Sequence, residues 1–303
     1  MTTGDDELHT DDGVSTQPLG ASHAEPLELG LELADRYVTT RVLERGGMSV
    51  VYEALDRRSG RAVALKVVPR SRLSRGGVAR FANEVRVAAM VRHPALVHLL
   101  DSGVLPTGEP FMVMELIAGL PLRERLRAEG PLGPRAVARV LMPVADALDT
   151  LHAADVLHRD VKPDNIVLVD ERGGDARLVD LGIALVRGKD RITAEDECVG
   201  SPRYMAPELV RGEREPTSAV DVYSLAVTAF ELVVGRPPFD GSPLDVCRAK
   251  VSRPAPLMSD VAGALFSVEL ELAIAAGLSL DPAKRPLGAR ALLESIARAV
   301  EPR

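Results

Sequence analysis

The chain has 303 residues, of which 46% are hydrophobic and 27% charged, a balance that excludes a wholly disordered chain, a collagen-like fibre and a coiled coil. A formal net charge of −7 and an aromatic content of 3%, with no Trp, argue against nucleic acid as a partner. No apolar run is long enough for a membrane segment, the acidic start MTTGDDELHTDD is no signal peptide, and Cys198 and Cys247 make neither a disulfide framework nor a zinc site; the expectation is a cytoplasmic protein.

Residues 1–33 are acidic and carry Gly, Ser, Thr and Pro without a sustained apolar period, so they read as a disordered tail. Short β-type runs follow at Val42-Leu43, Val50–Tyr52 and Val63–Val68, separated by Gly46-Gly47 and Ser59-Gly60 as in hairpins. Val78–Val91 changes to helical spacing, with Phe81, Val85 and Ala88 on one face. Leu96–Leu100 and Phe111–Leu116 return to strand-like runs. Beyond Ala118-Gly119 helices dominate. Val137, Val140, Leu141, Val144, Leu148 and Leu151 mark one buried stripe, in which Pro143 predicts a kink. Val220–Val234 is apolar on most sides, as a central helix would be, and Leu270–Leu278 and Ala289–Val300 supply two more helices. A β-rich part of about one hundred residues thus precedes a larger α-rich part.

The strongest motif is His158-Arg159-Asp160-Val161-Lys162-Pro163-Asp164-Asn165. Its spacing suits phosphoryl transfer: a carboxylate to take a hydroxyl proton, an amide oxygen five residues on to reach a metal, and a cation between them. Asp180-Leu181-Gly182 follows the apolar Leu178-Val179 and presents a carboxylate at a strand end, and Ala206-Pro207-Glu208 closes the segment after it. Lys66 ends the run Ala62–Lys66, where its ammonium needs a partner. Glu84 is the candidate, the only acid between Lys66 and Asp101 and in phase with Phe81 and Ala88; a solvated helix charge is the competing reading. Gly46 and Gly47 form a turn whose backbone could approach phosphates. Against G-x-G-x-x-G-x-V, Glu44 replaces the first glycine and Ser49 the third, while Gly46 and Val51 agree.

Taken in order, the glycine turn, Lys66, Glu84, HRDxKxxN, DLG and APE resemble the protein kinase family. Arg36-Tyr37, Gly46–Ser49 and Arg236–Phe239 make the chain most similar to the bacterial eukaryotic-like Ser/Thr protein kinases. The resemblance implies an α+β, bilobal protein-kinase-like fold. It comprises a small β-rich N-lobe with one main helix at 34–117 and a larger α-rich C-lobe at 118–303, behind the tail at 1–33. It implies an ATP- and Mg²⁺-dependent transferase acting on Ser/Thr hydroxyls of protein substrates and on itself. By the same likeness, Lys66 would hold the α- and β-phosphates and pair with Glu84, Asp160 would be the catalytic base, and Lys162 would contact the γ-phosphate. Asn165 and Asp180 would hold Mg²⁺. Val51 and Ala64 would roof the adenine and Val167 would floor it, with Met114 as gatekeeper and the backbone of Glu115 and Ile117 at the adenine edge. Asp221 would brace the catalytic loop, and Arg285 would pair with Glu208. The likeness leaves room for a homodimer.

Two departures bear on activity. Glu44 brings a Cβ and a negative charge near the nucleotide, which should weaken ATP binding. Leu181 stands where the family has Phe. Neither removes a chemical group, so an active enzyme is expected, with a nucleotide-sensing or scaffolding pseudokinase as the alternative. Thr193 and Ser201 are the candidate regulatory hydroxyls, and the acidic run Glu195-Asp196-Glu197 could partly replace phosphate charge by pairing with Arg159.

Overall fold

The computed structural model describes residues 30–45, 49–70, 77–170, 174–180, 202–213 and 215–301. Gly46, Gly47, Leu181, Thr193, Glu195–Glu197, Cys198 and Ser201 lie outside these residues, as does the Glu84 side chain.

Alternating and apolar runs in the first third build an antiparallel sheet from β1 (Glu32–Leu33), β2 (Tyr37–Arg45), β3 (Val50–Asp56), β4 (Arg61–Val67), β5 (Leu99–Val104) and β6 (Pro110–Glu115). The strand order is β1-β2-β3-β4-β6-β5. Because side chains alternate across a pleated strand, β4 divides between two cores. Val63, Leu65 and Val67 join Tyr37, Tyr52, Phe111 and Val113 on one face. Ala64 and Val68 face the other way, into a core shared with Met112, Met114 and the helices. Lys66 lies between those two residues, on that second face. Helix α1 (Gly77–Ala88) packs against β5 and β6 through Phe81, Val85 and Ala88, as its periodicity predicts.

A second, three-stranded sheet is made by β7 (Leu120–Pro121), β8 (Ile166–Leu168) and β9 (Ala176–Leu178) in the order β7-β8-β9. The helices are α2 (Leu122–Glu129), α3 (Pro134–His152), α4 (Pro207–Val210), α5 (Ala219–Val234), α6 (Pro243–Ser252), α7 (Met258–Ala262), α8 (Val268–Gly277) and α9 (Ala289–Ala299). Every residue from Val220 to Val233 is buried, so α5 is the post around which α3, α7, α8 and α9 pack.

Two details differ from the sequence reading. Glu32 and Leu33, assigned there to the tail, pair with Val38 and Tyr37, so ordered chain starts before residue 34; two residues are too short to show a period. The strand expected at Leu96–Leu100 forms at Leu99–Val104, with Leu96 reduced to a single bridge to Leu178. Helix α3 carries Pro143 inside one element of 19 residues, with buried residues on either side of it.

Candidate active site

The loop between α3 and β8 owes its shape to Asp221, in the first turn of α5. This fully buried carboxylate accepts the His158 N–H at 2.8 Å and the Arg159 N–H at 2.7 Å. His152, at the end of α3, approaches the same carboxylate with Nε2 at 2.8 Å. Burial opposes the charge on Asp221, but His152 and the Arg159 N–H hold its carboxyl below the usual range. The two backbone bonds fix Arg159 at φ +65°, a left-handed conformation that a residue with a Cβ adopts only when its surroundings dictate it.

Next along the loop, Asp160 accepts Lys162 Nζ at 2.8 Å and Asn165 Nδ2 at 2.9 Å, both on Oδ2; Asn165 Nδ2 also donates to the Asp160 carbonyl at 2.8 Å. Burial again works against the Asp160 charge, and Lys162 outweighs it, so the group is an ionised carboxylate with Oδ1 unengaged among the described residues. Lys162 is held protonated in turn: burial lowers its pKa, and Asp160 more than restores it.

Lys66 is 1% exposed and donates to Asp180 Oδ1 at 2.5 Å. Asp180 follows β9 at φ +60°, where the adjacent Val179 N–H bonds the Asn165 carbonyl at 2.8 Å. The strand end carrying Asp180 and the loop carrying Asn165 are therefore tied together. The partner described for Lys66 is Asp180; the Glu84 pairing expected from sequence lies outside the described side chains.

A divalent cation has suitable donors here. Asn165 is buried and anchored through its amide nitrogen, while its Oδ1 is buried with no hydrogen-bond partner among the described residues. That amide oxygen and the Asp180 carboxylate, carried on two segments joined by a backbone bond, are hard oxygen donors of the kind Mg²⁺ takes together with substrate phosphates.

Val51, Ala64 and Val167 are buried, and Ala64 pairs with Met114 across β4 and β6. The Glu115 N–H is committed to the His98 carbonyl at 3.0 Å, whereas Ile117 has no backbone hydrogen bond among the described residues and can meet a ligand edge. Glu44, near the end of β2, points into the cleft, with Oε1 4.0 Å from Lys162 Nζ. Burial raises its carboxyl pKa and Lys162 pulls it back.

Two anchors below the loop match the sequence reading or go beyond it. Arg285 makes a bidentate pair with Glu208 at 2.6 and 2.8 Å, both side chains buried. Lys250, which reads as an ordinary helix charge, is fully buried and donates to the carbonyls of Arg203 and Met205 at 2.6 and 2.8 Å. Sequence reasoning also passed over Arg123, whose guanidinium joins Asp164, Tyr204 and Glu231. Those partners are 41, 81 and 108 residues away, beyond any local pattern.

A base-like carboxylate, two cations and an amide–carboxylate oxygen pair around one cleft define a phosphotransferase type of site. The profile of the protein kinase domain matches residues 37–294, and the chain belongs to that family. It is 39% identical over 283 residues to the serine/threonine-protein kinase PknL of Mycobacterium tuberculosis, covering 91% of this chain and 69% of that protein. It is 37% identical over 256 residues to PknD of the same species, covering 84% of this chain and 38% of the relative. Among solved structures it is similar to the Mycobacterium tuberculosis PknI kinase domain, at 27% identity and a TM-score of 0.71, covering 91% of this chain and all of that one. It is also similar to Rad53 in complex with AMP-PNP, at 26% identity and a TM-score of 0.66, covering 85% of this chain and 64% of that one.

Proposed function

We propose that this chain is a serine/threonine protein kinase that uses ATP with Mg²⁺, acting on protein hydroxyls and on itself. The observation that carries the reading is the meeting of Lys66–Asp180 with Asp160–Lys162–Asn165 at one cleft. Its support from relatives is that those named serine/threonine-protein kinases align over most of its length. The AMP-PNP complex of a similar structure supports ATP as the donor.

In this reading Val51, Ala64, Val167 and Met114 enclose the adenine, and the backbone of Glu115 and Ile117 meets its edge. Gly46 and Gly47 cover the phosphates, and Lys66 binds the α- and β-phosphates, with Glu84 as its further partner. Asp160 orients the acceptor hydroxyl and takes its proton as the hydroxyl oxygen bonds the γ-phosphorus and the bond to the ADP oxygen breaks. Lys162 is held cationic beside Asp160, so it offsets charge on the transferring group without spending the base's proton capacity. Asn165 and Asp180 would hold Mg²⁺, which when bound supplies charge neutralisation between phosphate oxygens. Thr193 is the proposed autophosphorylation site, with Ser201 and Arg159 as the other regulatory positions. Among the described residues no helix is long and apolar enough to cross a membrane, and dependence on ATP fits a cytoplasmic location.

The test is incubation with radiolabelled ATP and Mg²⁺, followed by phosphoamino-acid analysis of wild type and Asp160→Asn. Label on Ser or Thr in wild type and its loss in the variant support the assignment. Equal labelling of the two proteins refutes it.

A further inference from the structure

Beside Lys162 lies a polar groove of about 640 Å³, lined by Arg123, Arg127, Asp164, Arg203 and Tyr204 among others. Its position next to Asp160 makes it the place where residues flanking an acceptor hydroxyl must lie; this step rests on the reading proposed above. Behind its wall stands an acidic seat. Glu231 is 5% exposed and Asp164 39% exposed, and a carboxylate as buried as Glu231 demands a cation. That cation comes from the chain itself. Arg123, in the first turn of α2, donates through Nη1 to Glu231 Oε1 at 2.7 Å and through Nη2 to Oε2 at 3.3 Å. It reaches Asp164 Oδ2 with Nε and Nη2, both at 3.2 Å, and also bonds the Tyr204 hydroxyl. Tyr204 donates to Glu231 Oε2 at 2.5 Å, which ties the segment before α4 to the same seat. Burial pushes the Tyr204 phenol up, so it stays a neutral donor.

We propose that Arg123 is the residue that sets this enzyme's acceptor preference, filling from within the seat that a basic side chain of a substrate would otherwise occupy. An incoming Arg or Lys then finds both carboxylates engaged and faces Arg123, Lys162 and Arg127. Arg127 lies one helical turn beyond Arg123 and has no ion pair or hydrogen bond among the described residues, so it is available for an acidic side chain. The groove accordingly rejects basic flanking residues and favours acidic ones.

The experiment compares kcat/KM for peptides that carry one Thr and differ only in Ala, Arg or Asp at each flanking position. The Ala peptide in each enzyme reports catalysis itself. Wild type should rank Asp above Ala above Arg at one or more positions. Arg123→Ala opens the seat, and the Arg-to-Ala ratio should rise about tenfold, the scale of one charge-assisted hydrogen bond. Adding Glu231→Gln to that variant should remove most of the gain. Arg127→Glu, an exposed change independent of the buried seat, should reverse the Asp-over-Arg ranking even if Arg123→Ala does not fold. A wild-type preference for Arg peptides, or an unchanged ratio in folded Arg123→Ala, overturns the proposal. Absence of phosphorylation of every peptide by wild type would instead refute the kinase reading beneath it.

Discussion

His152 offers a titration of the scaffold under the catalytic loop. It sits 10% exposed at the end of α3, with Nε2 2.8 Å from Asp221 and Nδ1 3.8 Å from Asp149. Burial opposes its charge, but the two carboxylates prevail and raise its pKa from 6.5 to about 9. Asp149 and Asp221 move the opposite way, both below the usual carboxylate range, as partners of a cation should. A raised pKa means the folded state binds this proton more tightly than the unfolded chain. The stabilisation is therefore fully present below the unfolded value of 6.5 and is lost as pH climbs through the folded value near 9. At about 1.4 kcal/mol per unit, the shift corresponds to about 3 kcal/mol below pH 6, declining to almost nothing near pH 10. His152→Gln keeps a donor toward Asp221 without the charge. Urea unfolding of both proteins across this pH range should give stabilities that differ by about that amount at pH 6 and converge by about pH 10. Curves that stay parallel over the whole range would refute the argument.

Two other perturbations probe different joints. Arg285→Met strands the buried Glu208 carboxylate, so urea unfolding should show a loss of about 3–5 kcal/mol, and a loss under 1 kcal/mol would contradict the burial argument. Glu44→Gly removes a carboxylate aimed at the cleft near Lys162; steady-state kinetics should show a KM for ATP reduced several-fold, about 1 kcal/mol, and an unchanged KM would show that Glu44 does not oppose the nucleotide.

What could be read from the sequence was whatever chemistry imposes on neighbouring residues. The octamer from His158 to Asn165 holds carboxylate, cation and amide within one loop, so its spacing survives as a pattern, and the structure brings those groups together. The all-round apolarity of Val220–Val234 likewise marked the central helix. Asp221 and the Arg285–Glu208 pair came from family likeness, and their bonds are found as expected. What escaped depends on contacts distant in sequence. Arg123 and Lys250 look like solvated helix charges until the partners that bury them are known. The short α2 carries too few apolar residues to show a stripe, α6 buries a lysine with only two of its apolar residues, and β1 is too short to show alternation. For Lys66 the need for an anionic partner was legible, but Asp180 as that partner depends on the left-handed turn that aims its carboxylate.

The proposed function requires Lys66, Asn165 and Asp180 to form one site for a nucleotide and its cation. Calorimetric titration of the full chain with a non-hydrolysable ATP analogue, with and without Mg²⁺, tests it most directly. Wild type should bind markedly tighter with Mg²⁺, Asp180→Asn should lose that enhancement, and Lys66→Met should bind more weakly in both conditions. Binding that ignores Mg²⁺ in wild type, or that is the same in all three proteins, would contradict the account.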